Sequence, residues 1–358
     1  MGQQMSWEEE DVFDDSCSWP RRLLHVESWT SYPWKQGNRY RGVYKPKYVA
    51  LSYTWGRWRL KEGVQESVEA LNIRNVPWKI PRVDPQHFTV DEFQNAIIAA
   101  ANGDSGDRKQ PKVKFVWLDV ACIDQEDEDI KHAEVSRQFT IFNGAQRCAI
   151  WLASTSPIFA KIGICDFLSM RSPFTSVYMN MTSPGTDGDD IAKHMMIGYS
   201  EMLLASTTTM IEDPWFTSLW TLQETFISRD QSVFLCNNGE IVKDHRGEVI
   251  GMVDLMETSY SIFNYLSSQL HLMEGYQDVH ALIKDTISHI ERLGFRQCFV
   301  FQEMGAYFAA RHRKASRSKD RIYGIMQIFD IKSGLSFMFS PSPLHLGKPG
   351  VRGKTVAM

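Results

Sequence analysis

Residues 113–120 read VKFVWLDV, a nearly continuous apolar run. Such a run is typical of a β-strand that is covered on both faces, as strands of parallel sheets are. Three more short β-prone runs occur along the chain, YVALSY at 48–53, CAIWL at 148–152 and SVFLC at 232–236. Helical patterns separate these runs, and the first helix is predicted to begin with Asp91 as its cap and to end at Gly103. This alternation predicts an α/β fold with a mostly parallel, doubly wound sheet.

The chain is predicted to comprise four parts. Residues 1–44 are an acidic, irregular lead-in, and residues 45–245 are the α/β domain, with a helical insertion at 153–212. Within that domain, one helix is expected between the acidic loop at 124–129 and residue 146, and another after Asp213-Pro214. Helical spacing from 246 to 334 predicts an extension packed on the domain. Residues 335–358 are rich in Pro, Gly, Ser and Lys, and we expect them to be disordered.

Composition excludes several classes of function. The formal net charge of −4 does not favour a general nucleic-acid-binding protein, which needs a clustered basic surface. One basic cluster occurs at 311–321, and we interpret it as a solvated helix end and loop, with a nuclear address or an anion site as the alternative. The longest apolar stretches fall short of the ~20 residues that cross a bilayer, so no membrane association is expected. No zinc or EF-hand spacing occurs, so no metal is expected.

Cysteine usage bears on the compartment. The six cysteines form no close pair and no CxxC motif, and several lie in apolar runs. Such cysteines are usually reduced core residues. Because no secretory signal stands at the start of the sequence, we expect a cytoplasmic location, with the nucleus as the second choice.

Three separated motifs stand out, LSYTWG at 51–56, WLDVACIDQ at 117–125, and WTLQE at 220–224 with its run-in DPWF at 213–216. Together they resemble the motifs of the fungal heterokaryon-incompatibility (HET) family. The resemblance covers roughly residues 45–240, and SKDRIYG at 318–324 is similar to a later stretch of the same proteins. The family commonly carries a basic residue shortly before the Trp of the third motif, whereas this chain has Ser218 and Leu219 there.

The resemblance implies a fold and a role. HET domains resemble TIR domains, so it implies a TIR-like (flavodoxin-like) sheet that self-associates. It also implies an intracellular non-self responder that triggers programmed cell death, with a protein partner in incompatibility signalling. Many TIR domains cleave the bond between nicotinamide and ribose in NAD. No GxGxxG follows a strand, so NAD would be a substrate and no cofactor is expected.

The expected site lies at the carboxyl ends of the parallel strands, where ligands bind in such sheets. The resemblance implies Glu224 as the catalytic residue, and the motifs supply the expected substrate-binding residues, which are Ser52, Tyr53, Trp55, Gly56, Asp119, Asp124, Gln125 and Trp220.

Each expected role has a structural alternative. A carboxylate at Glu224 could face the oxocarbenium-like state of nicotinamide–ribose cleavage, and on a helix it shares a face with Trp220 and Thr217. Alternatively, Glu224 is a solvated or helix-pairing carboxylate. The two tryptophans could stack on a nicotinamide or adenine ring, or be core aromatics. Ser52 and Tyr53 lie where a loop would meet phosphate or ribose, although Ser52 could cap a turn instead.

The second motif leaves similar alternatives open. Asp119 could hold ribose or orient a loop, or it could accept hydrogen bonds from backbone N–H groups. Asp124 and Gln125 could hold the same loop in place.

Two functions therefore remain open. The first is a NAD glycohydrolase that is activated by self-association and acts through Glu224. The second is a non-catalytic, TIR-like signalling module that oligomerises, with the helical extension binding a partner. The first requires Glu224 to lie near Ser52 and Trp55 at an open cleft.

Overall fold

The computed structural model describes residues 13, 17–61, 68–104, 111–171, 188–273, 276–300, 302–315, 320–326 and 328. The predicted tail at 335–358 and most of the acidic stretch at 1–16 lie outside the described residues.

Strands from across the first 235 residues form one six-stranded sheet in the described part of the chain. Its members are β1 (Arg22–His25), β2 (Thr30–Pro33), β5 (Tyr48–Ser52), β6 (Phe115–Trp117), β7 (Arg147–Trp151) and β8 (Ser232–Leu235). A separate two-stranded hairpin consists of β3 (Arg39–Tyr40) and β4 (Val43–Tyr44). The order in the large sheet is β2-β1-β6-β5-β7-β8. The four neighbouring strands β6, β5, β7 and β8 run parallel to one another, whereas β1 is antiparallel to both β6 and β2. This arrangement confirms the α/β class and the mostly parallel sheet.

Helices fill the connections, and most of the described residues from Met252 onward are helical. The helices are α1 (Val90–Asn102), α2 (Asp119–Cys122), α3 (Glu128–Val135), α4 (Gln138–Gly144), α5 (Pro157–Ala160), α6 (Asp166–Ser169), α7 (Gly188–Glu212), α8 (Leu219–Ser228), α9 (Met252–Leu270), α10 (Gln277–Leu293), α11 (Phe295–Val300), α12 (Gln302–Ala309) and α13 (Asp320–Met326).

The order of the parallel strands creates a switch point. Numbered along the chain, they are arranged second, first, third, fourth, so the connections that leave β5 and β7 run in opposite directions. A crevice opens at such a point, outside the carboxyl ends of the two strands that flank it. Here those ends belong to β5 and β7, whose residues Ser52 and Ile150 are direct partners in the ladder.

The N-terminal segment differs from the prediction. Residues 22–44, expected to be irregular, contain four short strands, and β1 pairs with β6 to extend the main sheet. Glu134 of α3 holds this segment in place, since its fully buried carboxylate accepts from the Arg21 backbone N–H at 3.0 Å and from the Arg137 guanidinium at 2.7 Å. The strands were missed because they are two to four residues long and carry little alternation.

Several predicted boundaries also require correction. The cap of α1 is Thr89, not Asp91, because Thr89 and Glu92 form a reciprocal capping box. The strand predicted at 113–120 is only three residues long, because a helical turn begins at Asp119. The single helix predicted up to residue 146 is two helices, and the break lies at Arg137, which donates to the backbone carbonyl of Cys17 at 2.6 Å.

The region before α8 is divided as well. Asp213 does cap the turn that follows it, accepting from the Trp215 N–H at 2.9 Å, but that turn is a short 3-10 helix, Pro214–Thr217. Extended backbone at Ser218 then separates it from α8. Thr217 therefore does not share a helical face with Trp220 and Glu224, contrary to the expectation.

The helices after residue 246 contact the third motif directly. The Arg313 guanidinium donates to the backbone carbonyls of Trp215, Phe216 and Leu293. Residues 217–219 and Lys314 form a β-bridge, in which the Lys314 N–H donates to the Thr217 carbonyl at 2.7 Å. The start of α8 is thus fixed by the extension as well as by the sheet.

Candidate functional site

A carboxyl group and a hydroxyl group from distant parts of the chain meet at the end of β5. The Ser52 hydroxyl, on the last residue of that strand, donates to Glu224 Oε2 on α8 at 2.5 Å. The indole N–H of Trp215 donates to the same hydroxyl at 2.9 Å. Ser52 therefore has one partner on each side, and its own proton is directed at the carboxyl group of Glu224.

Glu224 is removed from bulk water. Only 9% of the residue is exposed, and burial raises the pKa of its carboxyl group to about 8. The Ser52 hydrogen bond opposes this shift, while the nearby charge of Asp119 adds to it. Because a buried carboxylate is costly without a cation, the neutral acid predominates near pH 7.

Asp119 forms the second half of the cluster. The Tyr53 hydroxyl donates to its Oδ1, the Trp55 indole N–H donates to its Oδ2, and the Val120 N–H donates to Oδ1 at 2.8 Å. Burial raises the pKa of Asp119, and these hydrogen bonds lower it again in part. Burial raises the pKa of Tyr53, and the charges of Asp119 and Glu224 raise it further. The first and second motifs are thus joined through Asp119, and the first and third through Ser52.

Two predicted residues of the second motif build the loop beside this cluster. Asp124 Oδ1 accepts from the N–H groups of Glu126 and Asp127 at 2.9 and 3.0 Å, an arrangement that closes a turn. The Gln125 amide donates to the backbone carbonyls of Asp119 and Ile123 at 3.2 and 3.0 Å. Both side chains are occupied with holding the loop that carries Asp119.

Residues 48–224 match the family model described as "Heterokaryon incompatibility protein (HET)". This chain carries a HET domain. The match begins at the first residue of β5 and ends at Glu224, so it spans all three motifs that meet at the site. No curated protein and no solved structure matched the chain.

The remaining predicted residues of the HET domain lie at the margin of the cluster. Gly56 is exposed in a turn after Trp55, and a side chain there would meet no atom within 4 Å. Trp220 is half-buried on α8, one turn before Glu224 and on the same face. Neither residue contacts the two carboxyl groups through a hydrogen bond among the described residues.

Two residues of the HET domain were not predicted as site residues. Trp215 belongs to the run-in of the third motif and has no expected role at the site, yet its indole N–H donates to Ser52. Arg57 follows the first motif directly, and its guanidinium lies 3.3 Å from both the hydroxyl and the carbonyl oxygen of Thr217. Its positive charge therefore lies beside Thr217, three residues before Trp220 in the sequence. This is close to the positions 218 and 219, where the chain has no basic residue. In the sequence, the only indication of such a role is that Arg57 is a basic residue directly after Trp55-Gly56.

An apolar cleft of about 270 Å³ opens beside Trp55. Its described lining is mostly aromatic and aliphatic, including Trp55, Ile80, Phe88, Phe93 and Val120. Ser52 and Glu224 are not among the described residues that line it. Glu224 therefore lies beside Ser52 but does not open onto this cleft, so the arrangement required for a glycohydrolase is present only in part. The hydrogen bond between Trp55 and Asp119 connects the cleft to the carboxyl cluster.

Within the described ranges, no group of three or more His, Cys, Asp or Glu side chains is arranged to hold a metal ion. Of the helices that the structure describes, none has the length and apolar character needed to traverse a bilayer. All six cysteines are free thiols, and four of them are buried.

Proposed function

We propose that this HET domain acts in heterokaryon-incompatibility-type non-self recognition as a cell-death effector, and that it cleaves NAD to nicotinamide and ADP-ribose through Glu224. The observation that carries the proposal is the hydrogen bond between Ser52 and Glu224 at the switch point of the parallel sheet, with Asp119 within electrostatic reach. The second-first-third-fourth strand order is that of flavodoxin-like sheets, which supports a TIR-like architecture.

Hydrolysis of the nicotinamide–ribose bond requires one carboxylate rather than two. Water adds to C1′ of the ribose, nicotinamide leaves with the electron pair of the glycosidic bond, and the water gives up one proton. The leaving group is cationic before it departs, so no general acid is needed. A carboxylate that faces the oxocarbenium-like state stabilises its developing positive charge.

The high pKa of Glu224 is compatible with this role if the substrate is cationic. A positive charge near a carboxyl group favours its ionised form, so a bound nicotinamide ring would lower the pKa from about 8. The contact between Ser52 and Glu224 must open for the carboxylate to face ribose. The cleft beside Trp55 offers an apolar surface for a planar ring.

The test is the release of nicotinamide by purified protein at high concentration. Glu224→Gln keeps the shape of the side chain and an acceptor for Ser52 but cannot carry charge, so we expect it to abolish release while the fold is retained. Glu201→Gln, which removes an exposed carboxylate on α7, is the matched control and should release nicotinamide like the wild type. Equal release by wild type and Glu224→Gln would rule out the mechanism.

A non-catalytic signalling module is the second candidate, and two observations favour it. Glu224 is buried and hydrogen-bonded, as a structural carboxyl group would be. Large apolar side chains are exposed on the extension at Phe299, Met304 and Tyr307, where an oligomer contact or a partner could cover them. On this account, cell death survives Glu224→Gln, whereas Met304→Glu reduces both self-association in sedimentation and toxicity.

A further inference from the structure

A basic pocket lies on the loop that follows the first motif. It has a volume of about 280 Å³, and the charged or titratable residues that line it are Arg57, Arg59, Lys61, Asp84 and His87. The described residues of its lining thus include three permanent cations and one carboxylate. That carboxylate is already engaged, because Asp84 accepts from the Gln86 N–H at 3.0 Å.

Arg57 contributes a guanidinium group that is only partly hydrogen-bonded among the described residues. It is half-buried, and it contacts Thr217 through two long hydrogen bonds of 3.3 Å, which leaves most of its five N–H donors unused. In the described part of the chain it forms no ion pair with an acid, and it is close enough to another cation, Arg313, to help lower the pKa of that group. Burial also lowers the pKa of Arg57 itself. An anion in the pocket would offset both effects.

The pocket also has a flat wall. The rings of Trp58 and His87 are stacked, with centroids 3.5 Å apart and planes inclined by 20°. Trp58 is fixed by its backbone, since its N–H donates to the Trp55 carbonyl at 2.9 Å and its own carbonyl accepts from the Asp84 N–H at 2.9 Å. The loop is therefore ordered around the pocket, and the cations are presented from a defined backbone.

We propose that this pocket binds the diphosphate group of a dinucleotide, with Arg57 as its main ligand. A guanidinium fork matches two phosphate oxygens, and Arg59 and Lys61 add positive charge at the mouth of the pocket. Arg57 is two residues beyond Trp55, whose indole N–H contacts Asp119, so the loop that carries the pocket also contacts the carboxyl cluster. The inference rests on the proposed function for the identity of the ligand as NAD, whereas anion binding is a property of the pocket alone.

The test is calorimetric titration of the full chain with inorganic pyrophosphate and with ADP-ribose at low ionic strength. We expect Arg57→Gln to weaken both by about tenfold or more, the loss that follows removal of a charge-assisted pair. Arg57→Lys should recover only part of the affinity, because an ammonium group cannot form the fork. Arg246→Gln, which removes an exposed arginine outside the pocket, is the matched control and should bind like the wild type.

The outcomes separate this inference from the proposed function. If Glu224→Gln binds pyrophosphate as the wild type does and Arg57→Gln does not, the pocket is an anion site. That result holds even where the wild type releases no nicotinamide, in which case only the proposed function is overturned. Equal binding by wild type and Arg57→Gln, or no binding by the wild type, overturns the inference. Urea unfolding of Arg57→Gln, compared with Arg57→Lys, checks that the loop remains folded.

Discussion

Replacing Glu224 by glutamine should change how the stability of the protein depends on pH. The wild-type carboxyl group has a pKa of about 8 when folded, against an ordinary value of 4.5. Between these two values the folded protein holds a proton that the unfolded chain has lost. Unfolding then releases a proton, so the contribution of Glu224 to stability is full below about pH 4.5 and is lost as the pH rises through about 8.

The magnitude follows from the distance between the two pKa values. One pKa unit corresponds to ~1.4 kcal/mol, so the stabilising contribution of the neutral acid falls by up to ~5 kcal/mol across this window. Glutamine has no proton to lose, and its amide oxygen still accepts from Ser52. The free energy of unfolding of Glu224→Gln relative to wild type should therefore rise steadily with pH and level off above about pH 8.

Urea unfolding of both proteins between about pH 5 and about pH 9 measures this difference. Other groups that titrate in this range cancel in the comparison, because both proteins contain them. Ser52→Ala removes the hydrogen bond that lowers the pKa of Glu224, so in that variant the loss of stability should extend to higher pH. Glu201→Gln serves as an exposed control. Parallel stability curves for wild type and Glu224→Gln would refute a buried, neutral acid at this position.

Three further substitutions test the site and the contacts that hold α8, and a fourth, Gly198→Ala, is the control for the third. Asp119→Asn replaces one carboxylate acceptor by an NH₂ group and should lower the free energy of unfolding by about 1–3 kcal/mol, seen as a lower urea midpoint. Arg313→Met removes a buried donor to three backbone carbonyls and should cost about 2–4 kcal/mol, with faster hydrogen exchange at the start of α8. Gly324→Ala should cost about 1–2 kcal/mol in thermal unfolding, because its Cβ would lie 2.9 Å from Leu219 Cγ. Gly198→Ala, with nothing within 4 Å, should be neutral or stabilising.

Much of the sheet could be predicted because its central strands are buried on both faces. Apolar runs at 48–53, 148–152 and 232–236 correspond to β5, β7 and β8 within one residue. The edge was not predictable in the same way. β1 and β2 are short, and β1 is stabilised by pairing with β6 and by the contact of Arg21 with Glu134, which are distant in sequence. The hydrophobic periodicity of a short segment does not indicate contacts with residues that are distant in sequence.

The residues that meet at the candidate site were easier to predict than the protonation state of Glu224. The rule that parallel sheets carry sites at their carboxyl ends, together with the three motifs, led to Ser52, Asp119 and Glu224. The protonation of Glu224 depends on packing around the whole of α8, which a motif does not encode. Trp215 was missed for the opposite reason, because an apolar aromatic in a helical pattern looks like core even when its N–H has a polar partner.

The position of α8 links the site to the helical extension. For Glu224 to leave Ser52 and face a substrate, α8 or its side chains must move. The start of this helix is held by Arg313 and Lys314, and Gly324 of α13 packs closely against Leu219. A rearrangement of α8 would therefore disturb contacts with the extension. On the catalytic proposal, a ligand or partner that alters those contacts would shift Glu224 between its contact with Ser52 and a position that faces the substrate. The buried acid and the contacts with the extension thus lie on the same helix, α8.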